Sequence, residues 1–200
     1  MSIDPRGLDP DPFRQFTAWL AEAAAAGLRL PDAFALATAD AESRPSVRML
    51  LLRGHGPAGF VFYTNRASRK GRDLEVNSVA AALFHWPELD RQVRLSGPVV
   101  PIDDAESAAY FAGRPRGSQL SAWGSEQGAE IESRAALEAR LASVATRFAH
   151  GPVPLPPRWG GYRLRPDRFE FWMSRADRLH DRVEYLPAEG EGWTRRRLQP

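Results

Sequence analysis

PSVRMLLLRGHGPAGFVFYTNRASRK, residues 45–70, is the stretch on which the fold turns. PSVRMLLLR (45–53) and GFVFYT (59–64) are apolar runs of strand length, and the Gly- and Pro-rich GHGPAG between them reads as a turn. SRKGRDLEVN (68–77) follows as a short helix with Ser68 as its cap. Arg48 and Arg53 thus end one strand, Tyr63 and Thr64 end the next, and Arg69 and Lys70 open a helix. A helix N-terminus exposes unpaired N–H groups and the positive end of a dipole, so two added cations and a hydroxyl suit a phosphate. A solvated hairpin end is the competing reading, and this stretch alone does not choose between them.

Outward from that hairpin the pattern stays strand-rich. DPFRQFTAWLAEAAAAGL (11–28) has helical spacing of Phe13, Phe16, Trp19, Leu20 and Ala23, with Asp11 to cap it and Gly27 to end it. Residues 33–39, 80–86 and 91–102 read as strands, and in the last of these Val93 and Leu95 face one side while Gln92, Arg94 and Ser96 face the other. Residues 103–115 read as a helix stopped by Gly113 and Pro115, and residues 133–149 as the longest helix, with an ordinary amphipathic stripe. After the rigid connector VPLPP (153–157), the segments GYRLRP, RFEFWM, RVEYL and GWTRRRL supply four short strands. Closely spaced strands with helices at the margins predict an α+β barrel, not alternating βαβ units. Residues 1–9 read as a short tail and 10–200 as one domain.

Composition narrows the function. The chain has 200 residues, 43% hydrophobic and 26% charged, which suits a globular domain with a substantial core. With no cysteine, disulfides and thiolate metal sites are excluded. No apolar run approaches bilayer length and MSIDPRGLDPDPF lacks a signal peptide's apolar core, so a cytoplasmic protein without a membrane partner is expected. The net charge is +2 although the sequence pI is about 9.4, because basic and acidic residues nearly cancel. Basic residues are scattered, which gives no nucleic-acid footprint. Lys70 is the one lysine among many arginines.

Two further stretches could carry chemistry. In YFAGRPRGSQLSAW (110–123), Tyr110, Arg114 and Ser118 recur every four residues, so a helical or near-helical path would align a phenol, a guanidinium and a hydroxyl for a second phosphate. The plainer reading is Arg114 at a helix C-terminus. In FWMSRADRLHDR (171–182), His180 lies between Arg178 and Arg182 just after Phe171 and Trp172. Permanent cations favour a neutral imidazole, and the set suits a planar anionic ligand. Gln92 and Gln127 are neutral amides able to read a heterocycle edge. The histidines have no metal-ligand spacing, and no G-x-G-x-x-G, P-loop or G-x-S-x-G pattern occurs.

Taken together, RMLLLR, FYTNRASRK, RQVRLSG, Y-x3-R-P-R-x-S-Q-x2-AW, VPLPPRWGGYRL, FW-x5-RLHDR and the closing RLQP resemble the pyridoxine (pyridoxamine) 5′-phosphate oxidase family. The resemblance runs from about residue 10 to the C-terminus, and its order makes it far more specific than any single motif. It implies an FMN-binding split β-barrel, antiparallel and Greek-key-like, with flanking helices, acting as a homodimer with FMN at the interface. FMN would lie along Arg48, Met49, Leu50, Leu51, Leu52 and Arg53, with Tyr63, Thr64, Arg69, Lys70, Gln92, Gln127, Trp172 and Arg182. Arg53, Tyr110, Arg114 and Ser118 would hold the substrate's 5′-phosphate, and Arg178 and His180, as the catalytic pair, would flank its pyridine ring. The implied reaction is oxidation of pyridoxamine or pyridoxine 5′-phosphate to pyridoxal 5′-phosphate, with hydride passing to FMN and O2 reduced to H2O2. No metal is implied.

Three departures bear on substrate. The family commonly has lysine where Arg53 stands and serine where Gly128 stands, and MSIDPRGLDPDP carries little of the basic arm that can cover the substrate. A related branch acting on phenazine precursors shares the RLH core, and a non-catalytic FMN-binding module is a further alternative. The intact Tyr110, Arg114 and Ser118 favour a phosphorylated vitamer, and Arg178 with His180 favours turnover over storage.

Overall fold

The computed structural model describes residues 3–200. Helix α1 (Pro12–Ala25) starts where the Asp11 carboxylate accepts the Phe13 N–H at 2.8 Å. It ends before Gly27, whose φ of +75° suits glycine. Strands β1 (Ala33–Ala39), β2 (Pro45–Leu51) and β3 (Phe60–Asn65) precede α2 (Arg69–Val76). Strands β4 (Val79–Trp86) and β5 (Arg91–Pro101) precede three helices, α3 (Asp104–Ala112), α4 (Arg116–Gly124) and α5 (Arg134–Arg147). Strands β6 (Trp159–Leu164), β7 (Arg168–Met173), β8 (Asp181–Pro187) and β9 (Trp193–Arg197) close the chain.

All strand pairs are antiparallel, and β5 organises them. Along one edge β5 pairs with β4; along the other its first half pairs with β7 and its last residues with β6. The change of partner comes at Gly97, where a Cβ would lie 2.3 Å from the Arg165 carbonyl oxygen, so only glycine lets the chains cross so closely. The pairs β2–β1–β4–β5–β6–β3 form a barrel wall. Its closure between β2 and β3 is slight: Arg53 N–H donates to Val61 O at 2.8 Å and Val61 N–H to Gly54 O at 2.7 Å. This is a split barrel, and β7, β8 and β9 extend the sheet away from it. Period-2 burial along β5 follows the expected faces, with Val93 and Leu95 buried.

Aromatic packing fills the barrel. Phe16 of α1 meets Phe60 and Phe84 edge-on with centroids 4.8 Å apart in both pairs, and Trp19 meets Phe171 at 5.2 Å. Each such side chain, fully buried, contributes roughly 1.5–3 kcal/mol. Residues 3–9 join this core through Ile3 and Leu8, and Tyr185 Oη donates to the Asp9 carbonyl at 2.8 Å.

Three local expectations change. Ser68 stands at the N-cap of α2, but its hydroxyl donates to the Asn65 carbonyl, accepts from Lys70 Nζ and makes no cap bond. Residues 110–118 do not form one helix: α3 ends at Ala112 and α4 begins after Pro115, which cannot continue the N–H ladder. The stripe on α5 buries no residue fully; it leans on α4, where Leu141 Cδ2 would stand 2.6 Å from a Cβ on Gly124.

Candidate functional site

The β2–β3–α2 corner gathers the first group of expected residues. Lys70 is 5% exposed and its ammonium donates to Ser68 Oγ (3.0 Å), Gln127 Oε1 (3.1 Å) and Thr64 Oγ1 (3.2 Å). All three bonds go to neutral oxygens. Burial, aided by nearby Arg48 and opposed by Asp73, pushes its pKa down to about 8. Arg48 Nη1 donates to Thr38 Oγ1 at 2.7 Å and to the Leu36 carbonyl at 3.2 Å, while its Nη2 donates to Ser46 Oγ at 2.6 Å. Thr38 in turn donates to Asp73 Oδ2 at 2.6 Å, and that carboxylate lies 3.7 Å from Arg48 Nη2. Arg69, exposed at the head of α2, adds a third positive charge acting on Arg48.

This donor set fits the phosphate of FMN. The cations exceed the one carboxylate, Asp73, that acts on Arg48 and Lys70, and Lys70 keeps its charge here only against burial. An arriving phosphate dianion would supply the missing counter-charge. Gly128, next to Gln127, has φ +92°, a conformation that suits glycine and that L side chains rarely adopt.

Beside that corner opens a cavity of about 860 Å³ lined by Met49, Leu50, Leu51, Arg53, Tyr63, Tyr110, Arg114, Ser118 and Trp159, among others. A smaller recess lined by Leu50, Tyr63, Thr64, Arg114, Ser118, Gln127 and Trp159 continues it toward Lys70. The break at Pro115 therefore does not scatter Tyr110, Arg114 and Ser118. Arg114 is the distinctive group: its Nη1 is buried with no hydrogen-bond partner among the described residues. Its Cζ lies 4.8 Å over the Trp159 ring. Burial lowers its pKa, Tyr110 opposes this, and neighbouring Arg53 adds to it. Arg53 Nη1 is tethered to Asp32 Oδ2 at 3.2 Å. Leu52 points into the core and does not line this cavity.

The second group lies on β5, β7 and β8. Register puts Gln92 opposite Trp172 and Trp172 opposite Arg182, so the three form one cross-strand row. Arg182 is gripped by Glu170, accepting from Nε at 2.8 Å and Nη2 at 3.0 Å, while Nη1 donates to the Gln199 carbonyl at 3.0 Å. The His180 ring lies 4.7 Å from that of Trp172. His180 Nδ1 accepts the Arg175 N–H at 3.2 Å, which leaves the proton of a neutral ring on Nε2. Asp177 (φ +55°) and Arg178 (φ +60°) precede it in left-handed conformations that non-glycine residues seldom adopt. A tight, strained turn thus presents Arg178 and His180.

Within one protomer these groups do not meet. The sheet order β2-β1-β4-β5-β7-β8 sets three strand spacings between Arg48 and Gln92 and five between Arg48 and Arg182, or roughly 14 and 24 Å along the sheet. Sequence reasoning missed Trp159, Thr38, Asp73 and Glu170. Asp73 lies one helical turn after Lys70, which was the available signal; Thr38 and Glu170 come from distant strands and gave none. Among the described residues no cluster of His, Cys, Asp and Glu could hold a metal, and no helix is long and apolar enough to cross a membrane.

Comparison with known proteins matches this architecture. A family model described as pyridoxamine 5′-phosphate oxidase matches residues 20–148, and one described as the pyridoxine 5′-phosphate oxidase C-terminal dimerisation region matches residues 159–200. The pyridoxine/pyridoxamine 5′-phosphate oxidase of Rubrobacter xylanophilus is 56% identical over 97% of this chain and 89% of its own length. That of Paraburkholderia phymatum is 52% identical over 100% and 93%. Among solved structures, PhzG from Burkholderia lata in complex with tetrahydrophenazine-1-carboxylic acid superposes with a TM-score of 0.92 at 34% identity, covering 100% of this chain and 98% of that one. An FMN-binding protein from Nostoc punctiforme, 20% identical with a TM-score of 0.75 over 94% of this chain and 97% of its own, shares the fold. With both family models spanning the chain and relatives more than half identical along nearly all of it, the chain belongs to the pyridoxine/pyridoxamine 5′-phosphate oxidase family.

Proposed function

We propose that the two groups of residues form one active site across a homodimer interface, where FMN is held and a phosphorylated B6 vitamer is oxidised. The observation that carries this reading is Arg114: a half-buried guanidinium whose Nη1 is itself buried and unpartnered among the described residues, in a cavity that also holds Tyr110, Ser118 and Arg53. Charge-assisted bonds to a phosphate dianion would satisfy it. A substrate without phosphate would leave that donor unsatisfied, and this favours pyridoxamine or pyridoxine 5′-phosphate over the phenazine carboxylic acid held by the Burkholderia lata relative.

The residues divide the work. Arg48, Arg69 and Lys70, with Thr64 and Gln127, would take the phosphate of FMN; Leu50 and Tyr63 border the path from there to the substrate cavity. Gln92, Trp172 and Arg182 would come from the partner protomer, along with Arg178 and His180 against the substrate ring. His180 offers an Nε2–H donor whose direction is set by the bond at Nδ1. The chemistry supplied by FMN when bound is a two-electron oxidation of the substrate at C4′, with O2 as final acceptor and H2O2 as product. The protein's part is alignment, which in well-oriented systems lowers barriers by about 7–11 kcal/mol.

The outer face of the sheet supports the shared arrangement. Val47 and Met49 are 69% and 64% exposed there, beside Ala35, Ala37, Ala81 and Leu83. An apolar strip of this kind calls for a partner, and a second copy would cover it while bringing β7 and β8 toward β2. The test is direct: purified FMN-loaded protein, mixed with pyridoxamine 5′-phosphate in air, should release peroxide and pyridoxal 5′-phosphate. No turnover on either phosphorylated vitamer, with turnover of a phenazine precursor, would overturn the reading.

A further inference from the structure

We infer that Trp159 is a positioning residue for substrate phosphate: its ring face holds the Arg114 guanidinium in place without neutralising it. The inference rests on the reading of Arg114 as a phosphate ligand. Trp159 opens β6 opposite Asn65, is 7% exposed, and lines both the main cavity and the recess that continues it. Its ring is parallel within 6° to Tyr63, at 5.4 Å, and within 3° to Tyr110, at 6.1 Å. Tyr63 and Tyr110 stack on each other at 3.9 Å. The wall depends on the bare backbone of Gly161, where a Cβ would lie 2.7 Å from Tyr63 Cε1. Phe111 meets Trp159 edge-on at 5.1 Å, and Arg114 Cζ also lies over the Phe111 ring, farther off at 5.7 Å.

The two arginines of the cavity are held by different means. Arg53 is tethered by a carboxylate, Asp32. Arg114 sits over a π face, 4.8 Å from the Trp159 centroid, with its Nη1 unpartnered. A carboxylate would occupy in-plane N–H donors and repel an incoming phosphate dianion. A ring face attracts the cation through its quadrupole and leaves the planar fork free for two parallel bonds. Trp159 therefore keeps Arg114 oriented and available, and sets preference for a phosphorylated over an unphosphorylated substrate.

The experiment uses FMN-loaded Trp159→Phe, Trp159→Leu and Arg114→Gln, with pyridoxamine 5′-phosphate as substrate and inorganic phosphate as competing anion. Trp159→Leu should raise KM and the phosphate inhibition constant together, by about ten- to thirtyfold if a desolvated cation–π contact is lost, with kcat within about twofold and flavin content near wild type. Trp159→Phe, which keeps a smaller face, should restore most of the affinity. Should Trp159→Leu fail to fold, tryptophans carrying one to three ring fluorines at position 159 keep the shape and weaken the face; KM should climb with each fluorine. A flat KM across that series, or a Trp159→Leu enzyme that loses flavin and melting temperature with KM unchanged, would overturn the inference. Arg114→Gln separates the two levels. If it raises KM while the Trp159 series does not, the Trp159 inference alone falls; if it leaves KM and phosphate inhibition unchanged, the reading of Arg114 falls and takes the inference with it.

Discussion

Lys70 is a side chain whose protonation is strongly biased by its surroundings. Burial draws its pKa from the ordinary 10.5 to about 8 in the protein without FMN. The fold therefore favours the neutral amine. Below about pH 8 the buried charge costs its full amount; between about 8 and 10.5 the folded chain has shed a proton that the unfolded chain keeps, so stability from this group rises with pH. Lys70→Met should abolish that rise in melting temperature of the flavin-free protein. A phosphate dianion reverses the balance by favouring the ammonium. FMN affinity, read by quenching of flavin fluorescence, should fall as pH goes from 8 to 10. Lys70→Met should weaken FMN by about 1.5–3 kcal/mol at neutral pH and flatten that fall. Arg53 makes a second residue-scale case. It carries a permanent charge that a lysine would keep and is tethered to Asp32, so Arg53→Lys should change kcat/KM by less than about tenfold, ~1.4 kcal/mol, whereas Arg53→Ala should raise KM much more. The cations were legible in the sequence because charge and a helix start are local facts. Their buried partners Thr38 and Asp73 were not, because β1 and α2 meet only through the fold.

At the scale of elements, one turn and one strand end bear on the proposed site. The turn at 176–178 holds Asp177 and Arg178 at positive φ, and Asp181 accepts from Arg175 Nε at 2.7 Å beneath it. Asp177→Gly fits that backbone and should leave kcat/KM within about tenfold, while the β-branched Asp177→Val should cost roughly 1–2 kcal/mol of strain and lower kcat/KM further. Flavin content should stay near wild type in both, since this turn is assigned to substrate. The other element is the start of β6. Gly161→Ala would drive a methyl to 2.7 Å from Tyr63 and 2.9 Å from Ile102, so it should destabilise the protein by about 1–3 kcal/mol, seen as a lowered melting temperature. Strand positions were readable from alternation and Gly/Pro punctuation, and β1, β3, β5 and β7 fall within a residue of expectation. The second helix in 103–124 was not, because Tyr110, Arg114 and Ser118 have helical spacing across a proline that breaks the helix. The cavity reunites them from two helices and the linker between them.

At the scale of the whole molecule, the proposed site needs two groups of residues that one chain holds apart. Under the proposed reading, Arg48 of β2 with Arg69 and Lys70 of α2 would serve phosphates, and Gln92 of β5, Trp172 of β7 and His180, just before β8, would serve rings, on strands that the sheet keeps apart. The long β5 ties both halves to one sheet, so a rotation of a second copy can present β7 and β8 to β2. Val47→Asp, on the exposed face of β2 and outside both groups, should shift the protein toward monomer in sedimentation and lower its flavin content with it. The sharing itself was implied by motif resemblance and not by pattern, since no local signal tells whether two distant segments meet in one chain or in two. The measurement that reaches it most directly is complementation. Arg114→Gln disables the cavity side and His180→Ala the ring side, so each variant alone should be nearly inactive. Unfolded together and refolded with FMN, random pairing makes about half the dimers mixed, each with one intact site, and activity should return to about a quarter of wild type. Activity no higher than that of either variant alone, from a mixture containing mixed dimers, would contradict a site built by two protomers.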